Sequence, residues 1–216
     1  MASDIRIIAL DLDGVLFDGP NASFVIGQQL GLADKYMALF QKMERESMTF
    51  EEIVKEGAKI WEGITVDGSY DKLVEDLPLM TGATETVSEL KTKGYEVGSI
   101  SSGVSQFFMV PLMKRLNLDF AYSNILGSKE GVHDGSVEYF MDGPQKAETI
   151  LKYIEDMGYS QESVASIGNG FNDIELFKVS AFSIAFNPVD KIVSDAASIT
   201  IESKDLRSIL SYFENS

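Results

Sequence analysis

The feature that most constrains the fold is an apolar run that leads directly into two closely spaced carboxylates. Residues 5–10 are almost entirely apolar, and they are followed by Asp11, Leu12, Asp13 and Gly14. Such a run predicts a buried strand, and open α/β sheets place their chemistry just beyond the carboxyl ends of their strands. The two carboxylates can therefore form a site, in which one attacks and the other transfers a proton. The alternative is an ordinary surface turn, where Asp and Gly are both common.

The rest of the chain divides into a helical block and an alternating block. Apolar residues recur at helical spacing over residues 22–77, and Thr49 with Glu52 matches the capping box that begins a helix. Beyond Thr84, helices predicted at 85–93 and 146–157 alternate with strands predicted at 95–100, 164–167, 182–186 and 197–201. This alternation predicts a parallel sheet covered by helices on both faces, with the helical block inserted after the first strand.

Composition narrows the possible partners. The 216 residues contain no cysteine, which excludes disulfides, thiolate catalysis and cysteine-bound zinc. The formal net charge of −16 disfavours binding to nucleic acid or to an anionic membrane, because both surfaces would repel the chain. We find no signal-peptide pattern, and the first apolar run is too short to span a bilayer, so we expect a cytoplasmic protein. The oligomeric state is not predicted.

A second candidate site follows the strand predicted at 95–100. Ser101, Ser102 and Gly103 combine hydroxyl groups with small residues that allow close approach of backbone N–H groups. Such a segment suits a phosphate group, although it also suits a plain strand-to-helix turn with a serine cap.

A third candidate site follows the strand predicted at 164–167. Asn169, Asn172 and Asp173 lie among glycines and supply oxygen atoms, which are the ligands of a hard cation such as Mg²⁺, although an unspecific turn has similar composition. Lys146 lies near the start of a predicted helix, where a lysine is normally solvated.

Together these four segments resemble, in order and spacing, the four motifs of the haloacid dehalogenase superfamily. The stretches 49–52, 81–83, 173–178, 184–188 and 204–210 further resemble its phosphoserine phosphatase branch. The resemblance implies an α/β fold with a Rossmann-like parallel sheet core, formed by residues 1–16 and 80–216. It also implies a small inserted helical cap, formed by residues 17–79.

The resemblance also implies a phosphatase that works through an aspartyl-phosphate. Asp11 would be the nucleophile, and Asp13 would protonate the leaving oxygen and then activate water. The phosphate-binding residues would be Ser101, Ser102, Gly103, Lys146 and Asn172. The cofactor would be Mg²⁺, with Asp11, Asp13, Asn169 and Asp173 as its ligands.

Three positions depart from that branch. Asn169 stands where the family usually has a metal-binding Asp, which removes one negative charge and should weaken metal binding. Pro20, followed by Asn21, stands where the branch has a Glu that binds the substrate amino group. Gly57 stands near the position of an Arg that binds the substrate carboxylate, and Lys55 is the nearest cation.

The sequence thus predicts a Mg²⁺-dependent phosphomonoesterase for a small phosphorylated metabolite, with the serine-reading residues absent. The alternatives are a phosphatase or phosphotransferase for a sugar or keto-acid phosphate, and a non-catalytic phosphate-binding protein.

His133 is expected to be exposed at a hairpin tip. Trp61 and residues 107–109 are expected to pack between cap and core, or else to line a pocket there that would favour a less polar leaving group.

Overall fold

A computed structural model describes residues 5–213, which form a seven-stranded sheet flanked by helices. The strands are β1 (Ile7–Leu10), β2 (Glu96–Ser105), β3 (Phe120–Lys129), β4 (Val132–Tyr139), β5 (Val164–Gly168), β6 (Phe182–Phe186) and β7 (Ile199–Ile201). Their order across the sheet is β4-β3-β2-β1-β5-β6-β7. All neighbouring strands are parallel except β3 and β4, which form an antiparallel hairpin. The predicted α/β class is confirmed.

Nine α-helices lie within the described residues. They are α1 (Ala22–Gln29), α2 (Ala33–Arg45), α3 (Phe50–Ile60), α4 (Asp71–Glu75), α5 (Ala83–Thr92), α6 (Gln106–Leu116), α7 (Gly143–Asp156), α8 (Ile174–Lys178) and α9 (Lys191–Ala196). None of the helices in residues 5–213 combines the length and apolarity needed to cross a lipid bilayer.

The position of β1 at the centre of the sheet explains why its sequence is continuously apolar rather than alternating. It pairs with β2 on one side and β5 on the other, and all four of its residues are fully buried. A strand covered by helices on both faces has no solvent-facing positions for polar side chains. The carboxyl end of β1 is therefore fixed at the centre of the sheet.

The helical block between β1 and α5 contains α1 to α4. The capping box at the start of α3 is present as predicted: the backbone N–H of Thr49 donates to Glu52 Oε2 at 2.8 Å, and the backbone N–H of Glu52 donates to Thr49 Oγ1. The rings of Trp61 and of Phe108 in α6 pack edge to face, with their centroids 5.2 Å apart. Trp61 therefore packs between the helical block and the core, as expected.

A short backbone contact ties the helical block to the β3–β4 hairpin. The N–H of Gly63 donates to the carbonyl of His133 at 2.9 Å, and the N–H of His133 donates to the carbonyl of Ile64 at 2.8 Å. The expectation of an exposed His133 is wrong, because its side chain is buried between Phe107 and Trp61. The hairpin turn itself was predicted, but its pairing with a distant segment has no local sequence signal.

Candidate active site

The carboxyl end of β1 presents Asp11 and Asp13 in different environments. Asp11 continues the strand, with its N–H donating to the carbonyl of Ile167 at 2.9 Å, and its side chain is buried. The chain then turns at Gly14, whose φ of 78° lies in the left-handed region that favours glycine. This turn aims Asp13 toward α1, where Asp13 Oδ1 accepts a hydrogen bond from the N–H of Ala22 at 2.7 Å. The first residue of α1 therefore fixes the second carboxylate.

Strand β2 bulges at the predicted phosphate segment. Ile100 pairs with Tyr122 and Ser105 pairs with Asn124, so four residues of β2 oppose one residue of β3. The predicted end of this strand at residue 100 is thus too early, because the strand resumes beyond the bulge. A Cβ on Gly103 would overlap Asp13 Oδ2, so the bulge lies directly against the second carboxylate.

Two hydrogen-bonding side chains shape this bulge. Ser101 is fully buried, and its Oγ accepts a hydrogen bond from the N–H of Gly103 at 3.2 Å. Asn124 Nδ2 donates to the carbonyls of Ser102 and Val104 at 2.8 and 2.9 Å. Asn124 was not predicted to lie at the site, because its sequence signal is a lone amide within a segment that was not assigned to a strand.

Lys146 is brought to Asp11 by helix α7. The helix begins with a capping box at Asp142, and Lys146 lies in its first turn. The Lys146 side chain is fully buried, with Nζ 2.8 Å from Asp11 Oδ1 and 2.7 Å from Asp173 Oδ1. The ordinary interpretation of a solvated lysine is therefore excluded by the structure.

Asp173 closes the loop that follows β5. Its Oδ2 accepts hydrogen bonds from the backbone N–H groups of Asn169 and Gly170, both at 2.9 Å, while its Oδ1 contacts Lys146. Both carboxylate oxygens are thus engaged within the protein. The structure thus shows Asp173 bound to Lys146 and to two backbone N–H groups, and its role as a metal ligand stays a prediction. Asn172, the neighbouring predicted phosphate ligand, is half-buried on the same loop.

Burial shifts the pKa values of both carboxyl groups at the end of β1. Desolvation, reinforced by the charge of Asp173, raises the pKa of Asp11 to about 6 against the opposing attraction of Lys146. Desolvation and then the charge of Asp11 raise the pKa of Asp13 to about 7. Burial by itself would lower the pKa of Lys146, but its two carboxylate partners hold that pKa above its ordinary value. Lys146 is therefore a permanent cation, and Asp13 can exchange a proton near neutral pH.

The oxygen donors around Asp13 suit a hard divalent cation. The side-chain amide of Asn169 lies against the turn, so closely that a Cβ on Gly14 would overlap it. The side chains of Asp11, Asp13 and Asn169 each carry an oxygen donor, which is the ligand type that a hard divalent cation prefers. Within residues 5–213 no group of three or more His, Cys, Asp or Glu side chains is arranged to hold a metal.

Comparison with protein families identifies the family of this chain. A family model of haloacid dehalogenase-like hydrolases matches residues 5–180, which include every candidate residue described above. The chain belongs to the haloacid dehalogenase-like hydrolases. The predicted superfamily membership is confirmed.

Relatives of this hydrolase are consistent with the predicted branch. The phosphoserine phosphatase of Methanocaldococcus jannaschii is 28% identical over 210 residues, which cover 97% of this chain and 98% of that protein. The phosphoserine phosphatase of Wolinella succinogenes is 29% identical over 209 residues, covering 96% of this chain and all of that protein. One solved structure is a phospho-aspartyl intermediate analogue of phosphoserine phosphatase. This chain superimposes on it with a TM-score of 0.80 at 27% sequence identity, and the match covers 97% of this chain and 99% of that structure's chain. The predicted likeness to phosphatases of this branch is confirmed.

Proposed function

We propose that this hydrolase is a Mg²⁺-dependent phosphomonoesterase that acts on a small phosphorylated metabolite through an aspartyl-phosphate on Asp11. The main support is the buried contact between Lys146 and Asp11 at the end of β1, with Asp13 two residues further on. The reaction needs a nucleophile and a group that gives and takes a proton. Asp11, paired with the permanently charged Lys146, can be the nucleophile. Asp13, with its near-neutral pKa, can transfer the proton. The proposed location is the cytoplasm.

The reaction would proceed in two steps on these two carboxyl groups. An Asp11 oxygen forms a bond to phosphorus while the bond from phosphorus to the ester oxygen breaks, and Asp13 gives its proton to the departing alcohol. Asp13 then takes a proton from water, whose oxygen bonds to phosphorus as the bond to Asp11 breaks. The products are the alcohol and inorganic phosphate, and both carboxyl groups return to their starting states.

The phosphoryl group would be held by the groups that surround Asp11. Charge on its oxygens increases toward the transition state, so fixed donors are more effective there than mobile water. The proposed donors are the ammonium of Lys146, the hydroxyl of Ser101, the backbone N–H groups of Ser102 and Gly103, and the amide of Asn172. The Gly103 N–H would exchange its hydrogen bond to Ser101 Oγ for one to the phosphoryl group. Asp173 helps to fix Lys146 Nζ for this role, because its Oδ1 lies 2.7 Å from that nitrogen.

Mg²⁺ would be held by Asp11, Asp13 and Asn169. When bound, it would offset the negative charge of the phosphoryl oxygens and of the buried carboxylates. An amide oxygen can bind Mg²⁺, but it supplies no charge, so we expect weaker binding than at a site with three carboxylates.

Phosphoserine is not the preferred substrate in this proposal. Lys55 lies on the solvent face of α3 and pairs with Glu51 at 2.5 Å, and its side chain is 57% exposed. Arg45 is exposed at the end of α2, and its Nε donates to the carbonyl of Gln41. Neither cation contacts the site, and Gly57 offers no side chain. A site without partners for the serine carboxylate and ammonium gains nothing from those groups.

The experiment that tests the proposed function is hydrolysis of an aryl phosphate with and without Mg²⁺. We expect phosphate release that requires Mg²⁺ and that is lost in Asp11→Asn, which also controls for a contaminating phosphatase. Phosphate binding without any hydrolysis would instead support the non-catalytic alternative. The best substrate within a panel of sugar, keto-acid and amino-acid phosphates would then identify the metabolite class.

A further inference from the structure

The active site opens into a cavity between the helical block and the core. Its volume is 170 Å³, and Ser102 and Gly103 of the β2 bulge form part of its wall. Gly103 lies against Asp13 Oδ2, so the cavity begins beside the carboxyl that would protonate the leaving oxygen. The alcohol part of a bound phosphate ester would therefore enter this cavity.

The wall of the cavity is apolar on both sides. The helical block contributes Leu39, Phe40, Met43, Ile53, Val54 and Trp61. The core contributes Val104, Phe108 and Leu126. Among the described residues that line the cavity, none has a charged side chain.

The polar groups in the wall are neutral. The Tyr36 hydroxyl accepts a hydrogen bond from Trp61 Nε1 at 2.8 Å, and burial raises its pKa, so Tyr36 stays protonated. Asn124 uses its amide within the core, as described above, and Asn21 Oδ1 accepts from the N–H of Phe24 at 2.7 Å. A charged substituent would lose its water in this cavity without gaining an opposite charge, which is strongly unfavourable.

We propose that the leaving group is an uncharged, largely apolar alcohol, so that the substrate is an alkyl or aryl phosphate monoester rather than a phosphorylated amino acid. This inference rests on the proposed function, because it assumes that the phosphate is held beside Asp11. Ser102 and Ser105 also line the cavity, and their buried hydroxyls have no hydrogen-bond partner in the described structure.

Gly57 provides a way to change the cavity without touching the catalytic groups. It lies within α3 and lines the cavity, and a Cβ added there would meet no atom within 4 Å. Gly57→Leu would therefore fill the cavity from its helical side. Lys55→Leu is the matched control, because it adds the same side chain to the same helix on the solvent face.

The test is a chain-length series measured in two ways. Values of kcat/KM are measured for n-alkyl phosphates from methyl to hexyl and for O-phosphoserine, with Mg²⁺ present. Dissociation constants are measured by calorimetry for the matching alkylphosphonates, which are not hydrolysed. We expect kcat/KM and affinity to rise roughly fourfold for each buried methylene group until the cavity is filled. We expect O-phosphoserine to fall at least tenfold below propyl phosphate, which has the same number of carbons.

The Gly57 variant adds a structural readout. Gly57→Leu should remove most of the chain-length dependence while methyl phosphate is affected little, and Lys55→Leu should leave the series unchanged. A flat series, or O-phosphoserine at or above propyl phosphate, would overturn the inference and leave the proposed hydrolysis intact. Chain-length-dependent phosphonate binding without hydrolysis of any ester would overturn the proposed hydrolysis and uphold the apolar cavity as the ligand site.

Discussion

Lys146 Nζ lies 2.8 Å from Oδ1 of Asp11, although 135 positions separate the two residues in the sequence. Asp173 contacts the same ammonium group, so the buried cluster of two carboxylates and one lysine has a net charge of one negative unit. A phosphate ester brings further negative charge to this point. The lysine alone cannot balance it, and this imbalance is the electrostatic reason to expect a divalent cation beside Asp11.

Substitution of Asp11 and substitution of Asp13 should have unequal effects on turnover. Asp11→Asn should abolish phosphate release, because Asp11 would form the covalent bond. Asp13→Asn should slow turnover by ~10²–10⁴-fold, because Asp13 would only transfer protons. Acid quench followed by mass spectrometry should show an added phosphoryl group on the Asp13→Asn protein. Near-normal turnover by Asp11→Asn would contradict the assignment of the nucleophile.

Loss of the buried cation should reduce stability. Lys146→Met leaves two buried carboxylates without their partner, and we expect a loss of about 3–5 kcal/mol in the free energy of unfolding, measured with urea. Lys152→Met, at an exposed position on the same helix, is the control and should change stability little. Equal effects of the two substitutions would show that the ion pair is not a structural element.

The fold was predictable where local pattern and burial agree. The apolar run of β1, the bounds of β6 at residues 182–186 and the capping box at Thr49 were all visible in the sequence. The extent of β2 was not, because a bulge depends on pairing with β3, and β3 itself was not recognised. Strands defined by a distant partner have little local signal.

The candidate site likewise combines features that the sequence predicts with features that depend on distant contacts. The order of the motifs indicated Asp11, Asp13 and Lys146, and the structure brings Lys146 to Asp11 in a buried contact. The role of Asp173 was not predictable, because its hydrogen bonds to backbone N–H groups exist only in the folded loop. The burial of His133 likewise depends on a contact between two segments that are far apart in the sequence.

His133 should make stability depend on pH. Burial lowers the pKa of His133 below its ordinary value of 6.5, so the unfolded chain binds a proton more readily than the folded one. The stability that this difference provides is complete well above pH 6.5 and is lost as the pH falls below that value toward the folded pKa, by at most about 1.4 kcal/mol per pH unit. The prediction is checked by urea unfolding of the wild type and of His133→Phe between pH 5.5 and 7.5. The wild type should lose stability relative to the variant on acidification, and parallel curves would exclude His133 as the titrating group.

Restoring a carboxylate at Asn169 should tighten the binding of Mg²⁺. The Asn169 amide lies against the turn at Gly14, beside Asp13, and an Asp there would add a negative charge where the cation is proposed to bind. We expect the Mg²⁺ concentration for half-maximal activity to fall by about tenfold, which corresponds to about 1.4 kcal/mol and is modest for one added charge near a divalent ion. The measurement is a Mg²⁺ titration of activity, with calorimetry of Mg²⁺ binding as a second readout. Gln161→Glu is the matched control, because it adds the same charge just before β5, at the opposite end of the strand that leads to Asn169. Equal Mg²⁺ dependence of Asn169→Asp and wild type would show that position 169 does not contact the metal, whereas a similar gain in Gln161→Glu would show that overall charge, rather than a ligand, sets the affinity.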